Sequence, residues 1–222
     1  MKDLITEEYV CEIAVGILEK EWSEIEKKLE AAKGFAKTIH VDLIDGKFAS
    51  NTTFMDPKPF EKYAKDFTLE LHMMVENPIQ YLKPFGEAGF QRFYGHVENM
   101  QNITDFIAEG QIYGEVGLAL DGPTNLTALQ DINLDDLDCV LIYACEKVGF
   151  AGAQFMEGKL QKVKELHAKS MIPIEVDGGM KDTTILFAKN AGAVRFVATS
   201  FIWGAEDPKA AYEKLQGIIN PQ

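Results

Sequence analysis

Short apolar segments alternate with charged, amphipathic segments along the whole chain. The apolar segments have the length and the aliphatic, β-branched content that are typical of buried strands. They predict eight strands, at residues 11–17, 36–42, 68–74, 91–96, 114–120, 137–144, 172–176 and 194–198. The amphipathic segments predict helices at residues 21–33, 57–65, 78–88, 101–109, 158–169 and 182–190, with two more that begin at Pro123 and Asp207.

A series of strand-helix units with short links forms either a closed barrel or a long open sheet. An open dinucleotide-binding sheet needs a glycine-rich turn after its first strand. The corresponding residues, 16–21, read Gly-Ile-Leu-Glu-Lys-Glu and lack that pattern. We therefore predict an α/β protein with a single (β/α)8 TIM barrel domain over residues 1–222.

Composition narrows the class of partner. The 222-residue chain carries a formal net charge of -13, which argues against nonspecific binding to nucleic acid or to an anionic membrane. A small anionic substrate is still compatible with that charge, because backbone amides at helix starts can bind phosphate without lysine. We expect no nucleic acid and no membrane as partners, and we expect assembly as a homo-oligomer.

The three cysteines and the amino terminus indicate the compartment. Cys11, Cys139 and Cys145 lie in or near strand-like segments without CxxC spacing, so we expect buried free thiols and a reducing environment. No apolar run approaches the roughly 18 residues of a membrane span. The first eight residues do not resemble a signal peptide, and we expect a cytoplasmic protein.

Polar groups that can bind metals follow several of the predicted strands. His40, His72 and His96 each close a run of apolar, strand-like residues, and Asp177 follows another strand. Asp42 is two residues beyond His40, so both side chains point to the same side of a strand. Active sites of parallel barrels are built at the carboxyl ends of the strands, and these residues are therefore candidates for catalysis.

Two histidines and two aspartates form the strongest candidate site: His40, Asp42, His72 and Asp177. This ligand set suits one divalent ion, with zinc first and iron, manganese or cobalt as alternatives. In the alternative interpretation, the histidines are hydrogen-bonded core residues and the aspartates cap helices. The coincidence of all four at the catalytic face favours the metal site.

Four other polar residues have weaker signals. Asp45 is expected to cap the turn at Gly46, although it lies close to the candidate site. His96 either lines the pocket or has a structural role. We expect His167 to face solvent from a helix and Lys47 to be a lone exposed charge.

Three glycine-bearing or serine-bearing turns follow the last three strands, at residues 149–152, 177–180 and 198–204. Barrels often hold a phosphate between the loops after strands seven and eight and a short extra helix. Ser200 would begin such a helix and offer its amide and hydroxyl. Alternatively, Ser200 is an ordinary helix cap and the glycines only form turns.

Taken together, these motifs resemble the ribulose-phosphate 3-epimerase family over nearly the whole chain. The matching segments are HVDLIDGKF (40–48), LHMMVENP (71–78), HVE (96–98), GLAL (117–120), GFAG (149–152), VDGG (176–179) and VATS (197–200). The first segment and the VDGG segment are the most specific.

The resemblance implies a barrel of the ribulose-phosphate-binding type with a metal held by His40, Asp42, His72 and Asp177. It further implies that Asp42 and Asp177 face each other across a ketopentose 5-phosphate. One aspartate removes the proton at C3, and the other returns a proton from the opposite face. We place the substrate contacts at Met74, Gly149, Gly152, Gly178, Gly179, Thr199 and Ser200.

The chain departs from the family pattern around the substrate. Gly16 replaces a serine of the first strand, and Ile44 and Ala144 stand where the family has methionines. Glu146 adds negative charge after the sixth strand, and Ala153 replaces a glutamine. Thr199 replaces a glycine of the phosphate turn, and we expect its side chain to crowd a phosphate.

Three functions remain open from the sequence. The first is epimerisation of D-ribulose 5-phosphate to D-xylulose 5-phosphate through a metal-stabilised enediolate. The second is the same chemistry on another sugar phosphate, by a different epimerase or a lyase. The third is a non-catalytic barrel that binds a ligand or partner without turnover.

Overall fold

Eight parallel strands form a closed barrel in the computed structural model, which describes residues 10–146 and 148–221. Each strand pairs with the next along the chain, and β1 also pairs with β8. The strands are β1 (Glu12–Ile17), β2 (Thr38–Ile44), β3 (Thr68–Met74), β4 (Arg92–His96), β5 (Glu115–Leu120), β6 (Cys139–Tyr143), β7 (Ile174–Asp177) and β8 (Arg195–Ala198).

Helices connect the strands on the outside of the barrel. They are α1 (Trp22–Ala32), α2 (Ile79–Glu87), α3 (Ile103–Gly110), α4 (Leu160–His167), α5 (Ile185–Ala191), α6 (Ser200–Trp203) and α7 (Pro208–Ile219). A 3-10 helix, Lys58–Tyr63, links β2 to β3. Within the described residues, no helix is both long enough and apolar enough to cross a membrane.

The structure confirms the eight predicted strands and their order. It also confirms that Cys11, Cys139 and Cys145 are buried free cysteines. The predicted boundaries differ most at β2, which continues to Ile44, at β6, which begins at Cys139, and at β7, which begins at Ile174.

The helix predicted from Pro123 is wrong. Two 3-10 turns, Leu126–Leu129 and Leu134–Asp136, follow β5 instead. This segment is rich in asparagine, aspartate and threonine, whose side chains compete for backbone hydrogen bonds. Asn133 does so directly, because its side chain accepts a hydrogen bond from the amide of Asp135.

Charged and polar side chains, rather than only aliphatic ones, fill part of the barrel interior. Arg92 Nη1 donates to Glu70 Oε2 at 2.5 Å, and Tyr94 donates its hydroxyl hydrogen to Glu175 Oε2 at 2.7 Å. Arg195 Nη1 lies 3.1 Å from Glu115 Oε2. These pairs join strands and provide a hydrogen-bonded layer beneath the residues at the carboxyl ends of β2, β3 and β7.

Candidate active site

Four residues at neighbouring strand ends form a compact group of ligand atoms. One atom from each of His40, Asp42, His72 and Asp177 lies within 4.8 Å of the others. Parallel pairing of β2 with β3 sets Asp42 beside His72, and Asp177 is the last residue of β7. The barrel thus brings together all four residues that the sequence singled out as metal ligands.

The atoms of this group suit a small cation. His72 Nδ1 lies 3.0 Å from Asp42 Oδ1 and 3.4 Å from Asp177 Oδ2, and His40 Nε2 lies 3.5 Å from Asp42 Oδ1. Ligand atoms at about 2.0–2.2 Å from a tetrahedral zinc are separated by roughly 3.3–3.6 Å. Closing the group around an ion therefore requires only small movements.

One nitrogen distinguishes the metal site from a set of satisfied core histidines. His40 is fully buried, and its Nδ1 lies 2.7 Å from Glu70 Oε1. Its Nε2 faces Asp42 but has no hydrogen-bond partner among the described residues. A buried polar atom is rarely left unpaired, because its desolvation is costly. A cation at the four-residue group would satisfy it.

The charges within the group perturb one another. Burial lowers the pKa of His40, but contacts with Asp42, Glu175 and Glu70 raise it well above its ordinary value. Burial raises the pKa of Asp42, but His40 and His72 lower it to about 2. Burial lowers the pKa of His72, and Asp177 and Asp42 outweigh that effect and raise it. The carboxylates of Asp42 and Asp177 thus stabilise positive charge on the histidines that they contact.

Glu70 and Glu175 support the site from below, and the sequence analysis missed both. Glu175 Oε1 lies 3.4 Å from His40 Nδ1 and has no hydrogen-bond partner among the described residues. Glu70, Glu175 and Tyr94 each precede a site residue by two positions, namely His72, Asp177 and His96. Alternation along a strand puts such pairs on one side, and that signal could have identified them.

His96 belongs to the site through a hydrogen-bond chain. Its Nε2 lies 2.9 Å from His72 Nε2, and its Nδ1 lies 3.0 Å from Glu98 Oε2. Glu98 Oε1 in turn accepts a hydrogen bond from the amide of Asp121 at 2.7 Å. Burial lowers the pKa of His96, whereas the pKa of Glu98 falls to about 2 because its contact with His96 outweighs burial.

A small pocket opens beside the four-residue group. Asp42 and Asp177 both line it. So do all seven residues predicted to contact substrate: Met74, Gly149, Gly152, Gly178, Gly179, Thr199 and Ser200. The structure therefore places the two candidate proton-transfer carboxylates and the expected substrate contacts around one space.

Tyr143 is a pocket residue that the sequence analysis missed. Tyr143 ends β6, pairs with Asp177 in the register of the sheet, and lines the pocket. Its neighbour Ala144, which we placed at a methionine position, packs in the apolar core instead. Side chains alternate along a strand, so Cys139, Leu141 and Tyr143 point to the same side. This pattern would have assigned Tyr143 to the barrel interior.

Thr199 and Gly16 meet where β8 approaches β1. A side chain at residue 16 would overlap the Oγ1 atom of Thr199. Gly16 therefore leaves room for the threonine, whose side chain extends toward β1. Thr199 also lines the pocket, and the expectation that it crowds a phosphate stays a prediction.

The turn after β7 requires its glycines. Gly178 has a φ of +102° and Gly179 a φ of +70°, in the left-handed region that favours glycine. Added Cβ atoms would also lie 2.8 Å from Cys145 Sγ and 2.7 Å from Phe155 Cβ. Ser200 begins α6, as predicted. The N-cap residue is Thr199, and its side chain accepts no capping hydrogen bond from the helix.

The remaining polar residues lie at the rim or the surface. Asp45 caps its turn, because Oδ1 accepts hydrogen bonds from the amides of Lys47 and Phe48. His167 is exposed, as predicted. Lys47 is exposed but not alone, since its Nζ lies 2.6 Å from Glu76 Oε2; the expectation of a lone charge was wrong.

Comparison with known proteins gives a consistent result. The sequence profile described as "Ribulose-phosphate 3 epimerase family" matches residues 12–203. A ribulose-phosphate 3-epimerase of Mycobacterium bovis is 32% identical over 211 residues, covering 92% of this chain and 91% of the relative. The Bacillus subtilis enzyme of that name is 30% identical over 220 residues, covering 94% and 99%.

A solved structure agrees with the barrel. The 3-keto-L-gulonate-6-phosphate decarboxylase of Vibrio cholerae superimposes with a TM-score of 0.72 over 95% of this chain and 98% of that chain. The two sequences are 13% identical, so the likeness concerns the fold.

Proposed function

The chain belongs to the ribulose-phosphate 3-epimerase family, and we propose that it interconverts D-ribulose 5-phosphate and D-xylulose 5-phosphate through an enediolate. The family and its epimerase relatives make it a carbohydrate epimerase of the isomerase class that acts on a ketose phosphate. One observation carries the proposal. Asp42 and Asp177 belong to one buried His/Asp group and line one pocket.

Asp42 and Asp177 act as the acid and base. The C3 hydrogen of the ketose is next to the carbonyl and is therefore weakly acidic. One carboxylate removes this proton, and the other delivers a proton to the opposite face, which inverts the centre. The pocket holds the substrate between them, so that both transfers take place within hydrogen-bond reach.

His40, Asp42, His72 and Asp177 would hold one divalent ion, with zinc as first choice and iron, manganese or cobalt as alternatives. When bound, the metal supplies positive charge that stabilises the enediolate oxygens. The unpaired Nε2 of His40 and the four clustered ligand atoms support this assignment.

The glycine-rich end of the pocket would bind the substrate phosphate. Gly178 and Gly179 form the turn after β7, and Ser200 begins α6, where backbone amides can face an anion. Gly149 and Gly152 would contribute from the β6 loop. Thr199, next to Ser200, would offer a hydroxyl group, and Met74 would provide an apolar wall.

Metal analysis and hydrogen exchange test the proposal. The purified protein should contain about one divalent ion per chain, and ribulose 5-phosphate in heavy water should gain deuterium at C3. Light scattering of the same sample tests the expected homo-oligomer. Absence of both metal and exchange would favour a non-catalytic barrel.

A different ketose phosphate is the second candidate substrate. Tyr143 lines the pocket, and the Gly16–Thr199 contact shapes its wall between β1 and β8. These residues change the shape of the pocket around the sugar and leave the His/Asp group as it is. A panel of ketose phosphates, including substrates for a lyase reaction, distinguishes this candidate by kcat/KM.

A further inference from the structure

We infer that Glu98 is a positioning residue that acts through His96 to prepare His72 for metal binding. The inference rests on the proposed function, because it assumes that His72 is a metal ligand. The three side chains form a chain from the loop after β4 to the metal group, with contacts of 3.0 Å and 2.9 Å. Only Glu98 is partly accessible; both rings are fully buried.

The direction of each hydrogen bond follows from chemistry. His72 turns Nδ1 toward Asp42 and Asp177, so Nδ1 is the nitrogen that would bind a cation. The ring proton of neutral His72 must then be on Nε2, from which it is donated to Nε2 of His96. His96 consequently carries its own proton on Nδ1 and donates it to Glu98.

The other tautomer of His96 is disfavoured by Glu98. A proton on His72 Nδ1 would block the metal position and make His72 Nε2 an acceptor. His96 would have to donate from Nε2, leaving its bare Nδ1 against a carboxylate oxygen at 3.0 Å. Two acceptors would then face each other in a buried place, which costs free energy. Glu98 thus keeps the proton of His96 on Nδ1, so that His96 Nε2 can accept the Nε2 proton of His72 when a metal replaces the proton on His72 Nδ1.

Surrounding groups hold the chain in place. The amide of Asp121 donates to Glu98 Oε1 at 2.7 Å, which ties the carboxylate to the loop after β5. The ring of Phe48 packs on His96 with 4.6 Å between centroids. His72 and His96 therefore have little freedom to reorient. Ligating histidines are commonly fixed in this way by an acceptor on the other ring nitrogen.

Glu98→Gln tests the inference. The glutamine side chain keeps its size and can still accept from Asp121, but its amide can donate to His96 Nδ1 and so no longer rejects the other tautomer. We expect metal affinity, measured by competition with a chelator, to fall about 10–100-fold. Glu76→Gln is the matched control, because it removes the same charge from an exposed side chain that pairs with Lys47; its affinity should not change.

Nitrogen-15 spectra of the histidine rings provide a readout independent of turnover. In wild-type protein the proton of His96 should be on Nδ1, and Glu98→Gln should populate the Nε2–H form of His96. Unchanged affinity and an unchanged His96 spectrum in Glu98→Gln would overturn the inference, even if the variant unfolds at a lower temperature. A wild-type protein that binds no metal would instead contradict the proposed function, while the spectra still decide the tautomer.

Discussion

At the scale of single residues, two carboxylates carry most of the chemistry proposed for this protein. Asp42 lies between His40 and His72, whereas Asp177 contacts His72 and borders the pocket. Their environments differ, since Asp42 is flanked by two imidazoles. Each can therefore be tested by a substitution that preserves shape and removes the ability to ionise.

Asp177→Asn should lower kcat by about 10²-fold or more, because positioned proton transfer typically contributes 10²–10⁴-fold. Turnover must be measured with metal at saturation, since the amide is a weaker ligand than a carboxylate. Circular dichroism controls for folding. Near-normal kcat at saturating metal would contradict the role of Asp177 as acid or base.

Thr199→Val should raise KM for the ketose phosphate roughly tenfold. Valine fills the same space toward Gly16 but loses the hydroxyl, and an unpaired polar group costs about 1–3 kcal/mol. Thr199→Ser, which keeps the hydroxyl, is the matched control and should retain a near-normal KM. Equal KM values for Val and Ser would mean that Thr199 contributes bulk rather than a hydrogen bond.

At the scale of elements, the contact between β1 and β8 is shared by two residues that are far apart in sequence. Gly16 and Thr199 divide one space, so the side chain of one excludes that of the other. Trp203 of α6 adds to the contact by donating a hydrogen bond from Nε1 to the carbonyl of Gly16 at 2.7 Å. Closure of the barrel and the shape of the pocket are therefore coupled here.

Gly16→Ser should destabilise the protein by about 1–3 kcal/mol, the usual cost of overpacking a fitted site. The double variant Gly16→Ser/Thr199→Gly should recover most of that loss, because it returns the space to residue 16. Chemical denaturation of both variants and of Thr199→Gly completes the cycle. Additive losses in the double variant would show that the two positions do not share the space.

At the scale of the whole molecule, the proposed metal would compete with protons for the histidines inside the barrel. Contacts with acidic neighbours raise the pKa of His40 and His72 above 6.5 despite their burial. The stability that these shifts give the metal-free protein is complete below pH 6.5, the unperturbed value, and is lost as the pH rises through the raised values. Metal binding needs the neutral rings and so gains as the pH rises.

The difference in unfolding midpoint between metal-loaded and metal-free protein should therefore widen as the pH rises from about 5 to 8. Thermal unfolding of both forms across this range is the measurement. The pKa of Asp42 is held at about 2, so its protonation does not contribute in this window. His72→Asn should narrow the difference at every pH. A difference that does not change with pH would contradict competition between metal and protons.

The sequence by itself determined the number and order of the strands and the four residues of the His/Asp group. Both follow from local rules, since apolar periodicity marks strands and a spacing of two sets His40 and Asp42 on one side. Parallel strands also end on one face, which accounts for His72 and Asp177. The segment after β5 escaped prediction because side chains such as Asn133 compete with helical hydrogen bonds.

Only the tertiary structure decided which groups support and shape that site. Contacts of His40 with Glu70 and Glu175 join three strands, and the Gly16–Thr199 contact exists because the barrel closes. The link from Glu98 through His96 to His72 likewise depends on the geometry of adjacent strand ends. Such partners are separated along the chain and are set by strand register and closure, which no local pattern of residues encodes.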